Sequence, residues 1–231
     1  MKRVALLIAP RIQDDFGYTP AGASLVKAAI LKAGHNCKIF DFNAELDKAF
    51  IDDREQLVPI DNWFLNHNFY SEKVYKQIMY LAEKWIDSVF EYEPTDVGIS
   101  VFSYNSQRAT ILLSTMIKAR DPNLKIFMGG AGLNTDNRFG PYCLENKIMD
   151  CWIRGEGELS VPAYLDGNMT HPGLNGIPPK QINDIDSLQF PDYSDYELAS
   201  YTNKKGLVAL PITGSRGCVR ACTFCDIASM W

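Results

Sequence analysis

The chain has 231 residues, of which 46% are apolar and 22% charged, and its net charge is −5. That length suits one full α/β domain plus part of another, and the composition excludes disorder and coiled coil. The acidic balance gives no broad footprint for nucleic acid, and no apolar run reaches the roughly 18 residues of a membrane helix.

The first ten residues, Met1-Lys-Arg-Val-Ala-Leu-Leu-Ile-Ala-Pro10, have the charge and short apolar run of a signal peptide. No small-residue cleavage site follows, and Arg11, Asp14 and Asp15 come at once. Val4–Ala9 therefore reads as a buried strand, and the protein as cytoplasmic with no membrane partner. Gln13–Pro20 reads as a polar loop. Ala21–Ala33 has helical spacing and stops at Gly34, a C-terminal cap. Cys37–Phe42 alternates like a second strand, completing a βαβ unit with a right-handed crossover. Ala44–Asn68 mixes acidic and aromatic residues around Pro59 and reads as an insertion with a short helix.

Ser71–Tyr92 is expected to be a long amphipathic helix, with Val74, Ile78, Leu81, Trp85, Ile86 and Val89 on one stripe and Pro94 after it. Asp96–Phe102 reads as the third strand, Gln107–Arg120 as a helix and Leu124–Met128 as the fourth strand, followed by Gly129-Gly130-Ala131-Gly132. Tyr142–Lys147 reads as the end of a short helix and Cys151–Ile153 as a fifth strand. Arg154-Gly-Glu-Gly-Glu158 opens the next helix. The alternation predicts a doubly wound parallel α/β sheet over residues 1–167. Pro, Gly, Asn and Asp crowd Asn168–Pro191, so residues 168–205 read as a linker. One more strand, Gly206–Ile212, leads through Gly214-Ser-Arg-Gly217 into the last segment, residues 206–231.

Ligands of open parallel sheets sit beyond the carboxyl ends of the strands. Ser100, Ser103, Gly129, Gly130, Gly155 and Glu156 all fall at such ends and are expected to line one crevice, with the loop Arg11–Gly17 capping it. The bland reading of the same glycines is tight turns, and of Gly-Glu-Gly-Glu a helix start.

Six cysteines are present, three scattered (Cys37, Cys143, Cys151) and three within eight residues, Cys218-Val-Arg-Ala-Cys222-Thr-Phe-Cys225. A disulfide framework does not suit a chain this long without an export signal. Three thiolates on one loop can hold three irons of a [4Fe–4S] cluster and leave the fourth iron open. Gly214 and Gly217 let the backbone approach, and Arg216 and Arg220 would offset the cluster's negative charge. Zinc needs four ligands, or three and a water, and the nearest histidine in sequence is His171. Three unrelated buried thiols are the remaining reading.

The segment Gly214-Ser-Arg-Gly-Cys-Val-Arg-Ala-Cys-Thr-Phe-Cys-Asp226 resembles the signature of radical S-adenosylmethionine (SAM) enzymes. The resemblance implies that Cys218, Cys222 and Cys225 ligate a [4Fe–4S] cluster and that its open iron binds SAM. It implies too that Phe224 lies near the adenine and that an electron donor reduces the cluster. The cofactor carries the hard chemistry and the protein orients it. Residues 1–167 resemble the Rossmann-like cobalamin-binding domains that precede many radical-SAM barrels. The matching pieces are Leu31-Lys-Ala-Gly-His35, Val97-Gly-Ile-Ser-Val-Phe-Ser103, Phe127-Met-Gly-Gly-Ala131 and Arg154-Gly-Glu-Gly-Glu158.

Members that bind cobalt through histidine carry Asp-x-His-x-x-Gly after the first strand. Here that loop is Arg11-Ile-Gln-Asp-Asp-Phe-Gly17, without histidine. Any cobalamin would therefore lack a histidine ligand from this chain, and His35, His67 and His171 read as surface or structural residues. The chain reads as the start of a barrel cut short, so that another chain or a longer parent would supply the rest. The substrate is not legible. Two functions follow: SAM-dependent radical chemistry such as methyl transfer, or a module that binds cobalamin or a partner without chemistry of its own.

Overall fold

The computed structural model describes residues 1–10, 19–65, 71–134, 138–202, 206–220, 222–223 and 225. Five strands, β1 (Arg3–Ile8), β2 (Asn36–Asp41), β3 (Asp96–Ser100), β4 (Lys125–Gly129) and β5 (Cys151–Trp152), form one sheet in the order β2-β1-β3-β4-β5. Every neighbouring pair is parallel. The order reverses direction at β1, so the topological switch point lies between the carboxyl ends of β1 and β3. The fold is a Rossmann-like α/β domain, as the alternation of apolar runs and helical segments predicts.

The strands are apolar on both faces because both faces are covered. Along β1, Ala5 and Leu7 point into one core, and Val4, Leu6 and Ile8 into the other. The first core is the larger. It is closed by α4 (Glu72–Glu91) and α5 (Gln107–Arg120), with α3 (Leu57–Leu65), the single turn α6 (Ala131–Asn134) and α7 (Phe139–Glu145) beside them. The stripe of α4 is Val74, Ile78, Ala82, Trp85, Ile86 and Val89, with Leu81 only partly buried. Trp85 stacks on Phe42 with ring centroids 5.1 Å apart. The second core is covered by α1 (Ala21–Lys32) and α8 (Gly157–Leu165).

The insertion after β2 holds two helices rather than one: α2 (Phe42–Ala49), capped by Asp41 accepting from the Ala44 amide, and α3. Pro59 is tolerated because it lies in the first turn of α3, where its missing N–H has no helical acceptor to lose. Ile60, Trp63 and Phe64 of α3 carry the insertion into the core.

The stretch read as a linker is packed rather than free. Leu174 is fully buried, and Tyr196 and Tyr201 sit in the second core. Lys27 of α1 reaches Asp195 at 2.6 Å, Asp192 at 3.0 Å and the Ser194 hydroxyl at 2.7 Å. Burial works against the Lys27 charge, but the bonds to Asp195 and Asp192 outweigh it and hold its pKa above the usual value. Asp195 also accepts from the Ile39 amide, and the Tyr201 hydroxyl donates to Asp41. Composition reports the turns of this segment and misses its few anchors. The strand expected at Gly206–Ile212 does not join the sheet. It makes an isolated antiparallel bridge from Val208 to Thr202, and Leu207, Leu210 and Ile212 are exposed.

Asp150 pins the far edge. Its carboxylate accepts from the Ile126 amide at 2.9 Å, from Lys118 at 2.6 Å and from Lys125 at 3.1 Å, tying the start of β4 to β5. Burial raises the Asp150 pKa, but the bonds from Lys118, Ile126 and Lys125 outweigh it and leave the carboxyl below its ordinary range. A depressed carboxyl stabilises the fold above its unfolded pKa, and the contribution fades as pH falls through the lower folded value. Asp150→Ala is therefore expected to cost about 2 kcal/mol at neutral pH. In urea unfolding the gap to the parent should narrow below about pH 4. A gap unchanged down to about pH 3 would contradict this role.

Candidate functional site

A cavity of about 450 Å³ opens at the carboxyl edge of the sheet, on the α1 and α8 side. That volume lies within the range of small-molecule sites. Leu6 of β1, Ile99 and Ser100 of β3, Phe127 and Gly129 of β4, and Ile153 after β5 form its floor. The first turn of α1, with Gly22, and the first turn of α8 form its sides, and Thr213, Ser215, Arg216 and Gly217 form the remaining wall. The segment leading into Cys218 thus lies against the same cavity as the strand ends. Its lining is mostly apolar, with Glu156, Glu158 and Arg216 as the charged residues.

Of the six strand-end residues expected in one crevice, five line this cavity: Ser100, Gly129, Gly130, Gly155 and Glu156. Ser103 does not. Its amide donates to the Ser106 Oγ at 3.4 Å and its carbonyl accepts from the Ser106 hydroxyl at 2.8 Å, capping the short turn before α5. Two of the glycines also have backbone reasons. Gly130 has φ +111°, and a Cβ there would meet the Val101 carbonyl oxygen at 2.5 Å. That close approach lets the Gly132 amide donate to Val101. Gly155 has φ +74°, with Pro179 packed against the place a Cβ would occupy. The loop Arg11–Gly17 and Phe224 lie outside the described residues.

Glu156 has a structural duty that its sequence position does not reveal. Its Oε1 accepts from Arg216 Nη1 at 2.7 Å and its Oε2 accepts from the Ile182 amide. Glu158 accepts from the other nitrogen of the same guanidinium. The three side chains are 3–7% exposed. Arg216, expected to offset the charge of a cluster, is instead committed to these two carboxylates. Burial opposes its charge, yet the bonds to Glu158 and Glu156 hold its pKa above the usual value.

The six thiols divide sharply. Cys37, Cys143 and Cys151 are buried in the two cores. Burial pushes the Cys143 and Cys151 thiols up to about 12 and Cys37 upward as well. A thiol so disfavoured as thiolate is a poor metal ligand. Cys218 and Cys222 are exposed and Cys225 is half-buried, and none forms a disulfide. The Arg220 amide lies 3.4 Å from Cys218 Sγ, and the Cys225 amide donates to the Cys222 carbonyl in a turn. The donor chemistry of this loop fits an iron–sulfur cluster. Its sulfurs are not gathered, since among the described residues no group of three or more Cys, His, Asp or Glu is arranged to hold a metal.

The two described histidines, His35 and His171, do not line the cavity. The Lys2 amide donates to His35 Nδ1 at 3.2 Å, which leaves the proton on Nε2, 3.1 Å from Asp166 Oδ1. His35 is buried at the amino end of β2, opposite the cavity. The His171 ring contacts the Pro172 carbonyl. His67 lies outside the described residues. Among the described residues no helix is long and apolar enough to cross a membrane.

No known family profile matches the chain. Over 257 aligned positions it is 23% identical to cytidylyl-2-hydroxyethylphosphonate methyltransferase from Streptomyces wedmorensis, covering 92% of this chain and 44% of that protein. The chain is thus distantly related to a methyltransferase along nearly its whole length, and spans less than half of that relative. Among solved structures, the radical S-adenosylmethionine methyltransferase TsrM from Kitasatospora setae superposes with a TM-score of 0.44 at 16% identity. That match covers 75% of this chain and 28% of TsrM. UDP-GlcNAc 2-epimerase from Neisseria meningitidis superposes with a TM-score of 0.30 at 13% identity, over 71% of this chain and 43% of the epimerase. Of these comparisons, the methyltransferase sequence is the one that bears on function.

Proposed function

We propose that this chain is the cofactor-binding part of a radical SAM methyltransferase. In this reading Cys218, Cys222 and Cys225 hold a [4Fe–4S] cluster and the cavity at the sheet edge receives part of a cobalamin. The observation that carries the reading is the shared wall: residues 213–217, which lead directly into Cys218, line the cavity at the carboxyl ends of β1, β3, β4 and β5. A cofactor seated there would face the cysteine loop. The methyltransferase relative supports the same class of reaction.

When bound, the cluster would supply the electron that cleaves SAM. The chain's own residues do the holding. Cys218 and Cys222 are exposed and Cys225 is half-buried, so their sulfurs are accessible to iron, which thiolates ligate. The apolar floor excludes water from one face of a cofactor, and the small residues at the strand ends leave room for it. A whole corrinoid exceeds 450 Å³, so the fit is to an edge or tail of one. No histidine lines the cavity among the described residues.

The test is anaerobic reconstitution with iron, sulfide, a reductant and SAM, followed by assay for 5′-deoxyadenosine. Its release is expected. Uptake of iron and sulfide without release would favour the second reading, a cofactor- or partner-binding module without chemistry of its own. No uptake at all in the folded protein would sink the cluster assignment.

A further inference from the structure

The segment 206–220 lies largely at the surface. None of its residues is buried as a whole, and Leu207, Leu210 and Ile212 stand 60%, 44% and 71% exposed. Its backbone meets the domain at the Thr202–Val208 bridge and through the Tyr193 hydroxyl, which donates to the Pro211 carbonyl. Yet the Arg216 side chain is only 7% exposed, and it divides its two terminal nitrogens between Glu156 and Glu158. Those contacts span 60 and 58 residues of chain.

Two carboxylates against one guanidinium leave an excess negative charge in a buried site. The Ile182 amide takes part of it. The rest faces the amino end of α8, where Glu156 is the N-cap and Glu158 lies in the first turn, and the helix dipole favours negative charge there. Arginine suits the place because its planar fork reaches two carboxylates at once with fixed geometry, which a lysine cannot reproduce.

We infer that Arg216 is a positioning residue: by joining the head of α8 to the segment entering Cys218, it fixes the cysteine loop over the mouth of the cavity. What is positioned rests on the cluster reading above; that something is positioned does not. All three side chains of the clamp also line the cavity. Filling the cavity and ordering the loop should therefore reinforce one another, since each favours the same arrangement of the clamp.

Hydrogen exchange on the 231-residue chain tests this, comparing the parent with Arg216→Met and Arg216→Lys. The expected result for Arg216→Met is exchange about tenfold faster or more across residues 207–217, with protection in β1, β3 and β4 retained. Arg216→Lys keeps the charge without the fork and should fall between the two. Alkylation of Cys218 should be faster in Arg216→Met. Added hydroxocobalamin should slow that alkylation in the parent and not in the variant.

Unchanged exchange over 207–217 would overturn the inference. So would an equal loss of protection in that segment and in the sheet, which would make the clamp a general stabiliser. If Arg216→Met does not fold, Arg216→Lys is judged by the same two criteria. Iron and sulfide content of the parent is measured separately: a parent that takes up no iron removes the cluster reading and leaves the exchange result standing.

Discussion

Replacing Cys218, Cys222 and Cys225 together by alanine is expected to abolish iron and sulfide uptake and the brown absorbance of the anaerobically reconstituted protein. Cys218 and Cys222 are exposed and Cys225 is half-buried, so the substitutions remove little packed volume and the fold should be unaffected. The contrasting variant is Cys143→Ala. That thiol is fully buried and held up to about 12 by burial, so its loss should cost stability and leave iron uptake intact. Full iron and sulfide in the triple variant would refute the assignment. Loss of iron in Cys143→Ala, at unchanged folding, would show that the ligand set extends into the core.

Blocking the cavity at Gly22 is expected to weaken cobalamin binding by about tenfold or more while the fold stays intact. Gly22 lines the cavity, and a Cβ there meets nothing within 4 Å. It lies in the first turn of α1, where any other residue fits the helix at least as well as glycine. Gly22→Trp should thus keep the unfolding free energy within about 1 kcal/mol of the parent. The measurement is equilibrium titration with hydroxocobalamin beside urea unfolding. Unchanged affinity in a variant of unchanged stability would show that cobalamin, if bound, sits elsewhere. The same substitution at Gly130 would not serve, because φ +111° and the Val101 carbonyl would confound folding with binding.

The strands and long helices were legible in the sequence because their signals are local. Val4 to Ile8 is uniformly apolar because both faces of a parallel strand are buried, and α4 repeats its apolar residues at helical spacing. The clustering of Cys218, Cys222 and Cys225 was visible for a similar reason, since three cysteines on one short segment need no tertiary contact to be seen. The division of the thiols into an accessible and a buried set was only half legible. Clustering points to Cys218, Cys222 and Cys225, but the upward shift of the other three comes from burial, which belongs to the packed core.

The crevice was legible in outline, because parallel strands deliver their carboxyl ends to one side whatever the sequence between them. That rule placed Ser100, Gly129, Gly130, Gly155 and Glu156 together. It failed at Ser103, which lies past the strand end and is spent on capping a turn. It also gave no hint of Gly22, which reaches the cavity from α1 and sits in an ordinary helical pattern.

By itself, then, the amino-acid sequence determined the parallel α/β architecture and the clustering of three thiols within eight residues, since both follow from periodicity and close spacing. Only the tertiary structure decided what the charged residues do. Lys27 meets Asp192 and Asp195, and Arg216 meets Glu156 and Glu158, across separations of 58 or more residues. Nothing in the local pattern distinguishes these from solvated charges. Their role is set by burial, where an unpaired charge is too costly to keep and each must find its partner. That pairing turns the Pro- and Gly-rich stretch after residue 167 from an apparent tether into a packed connection, and brings Ser215, Arg216 and Gly217 to the cavity at the edge of the sheet.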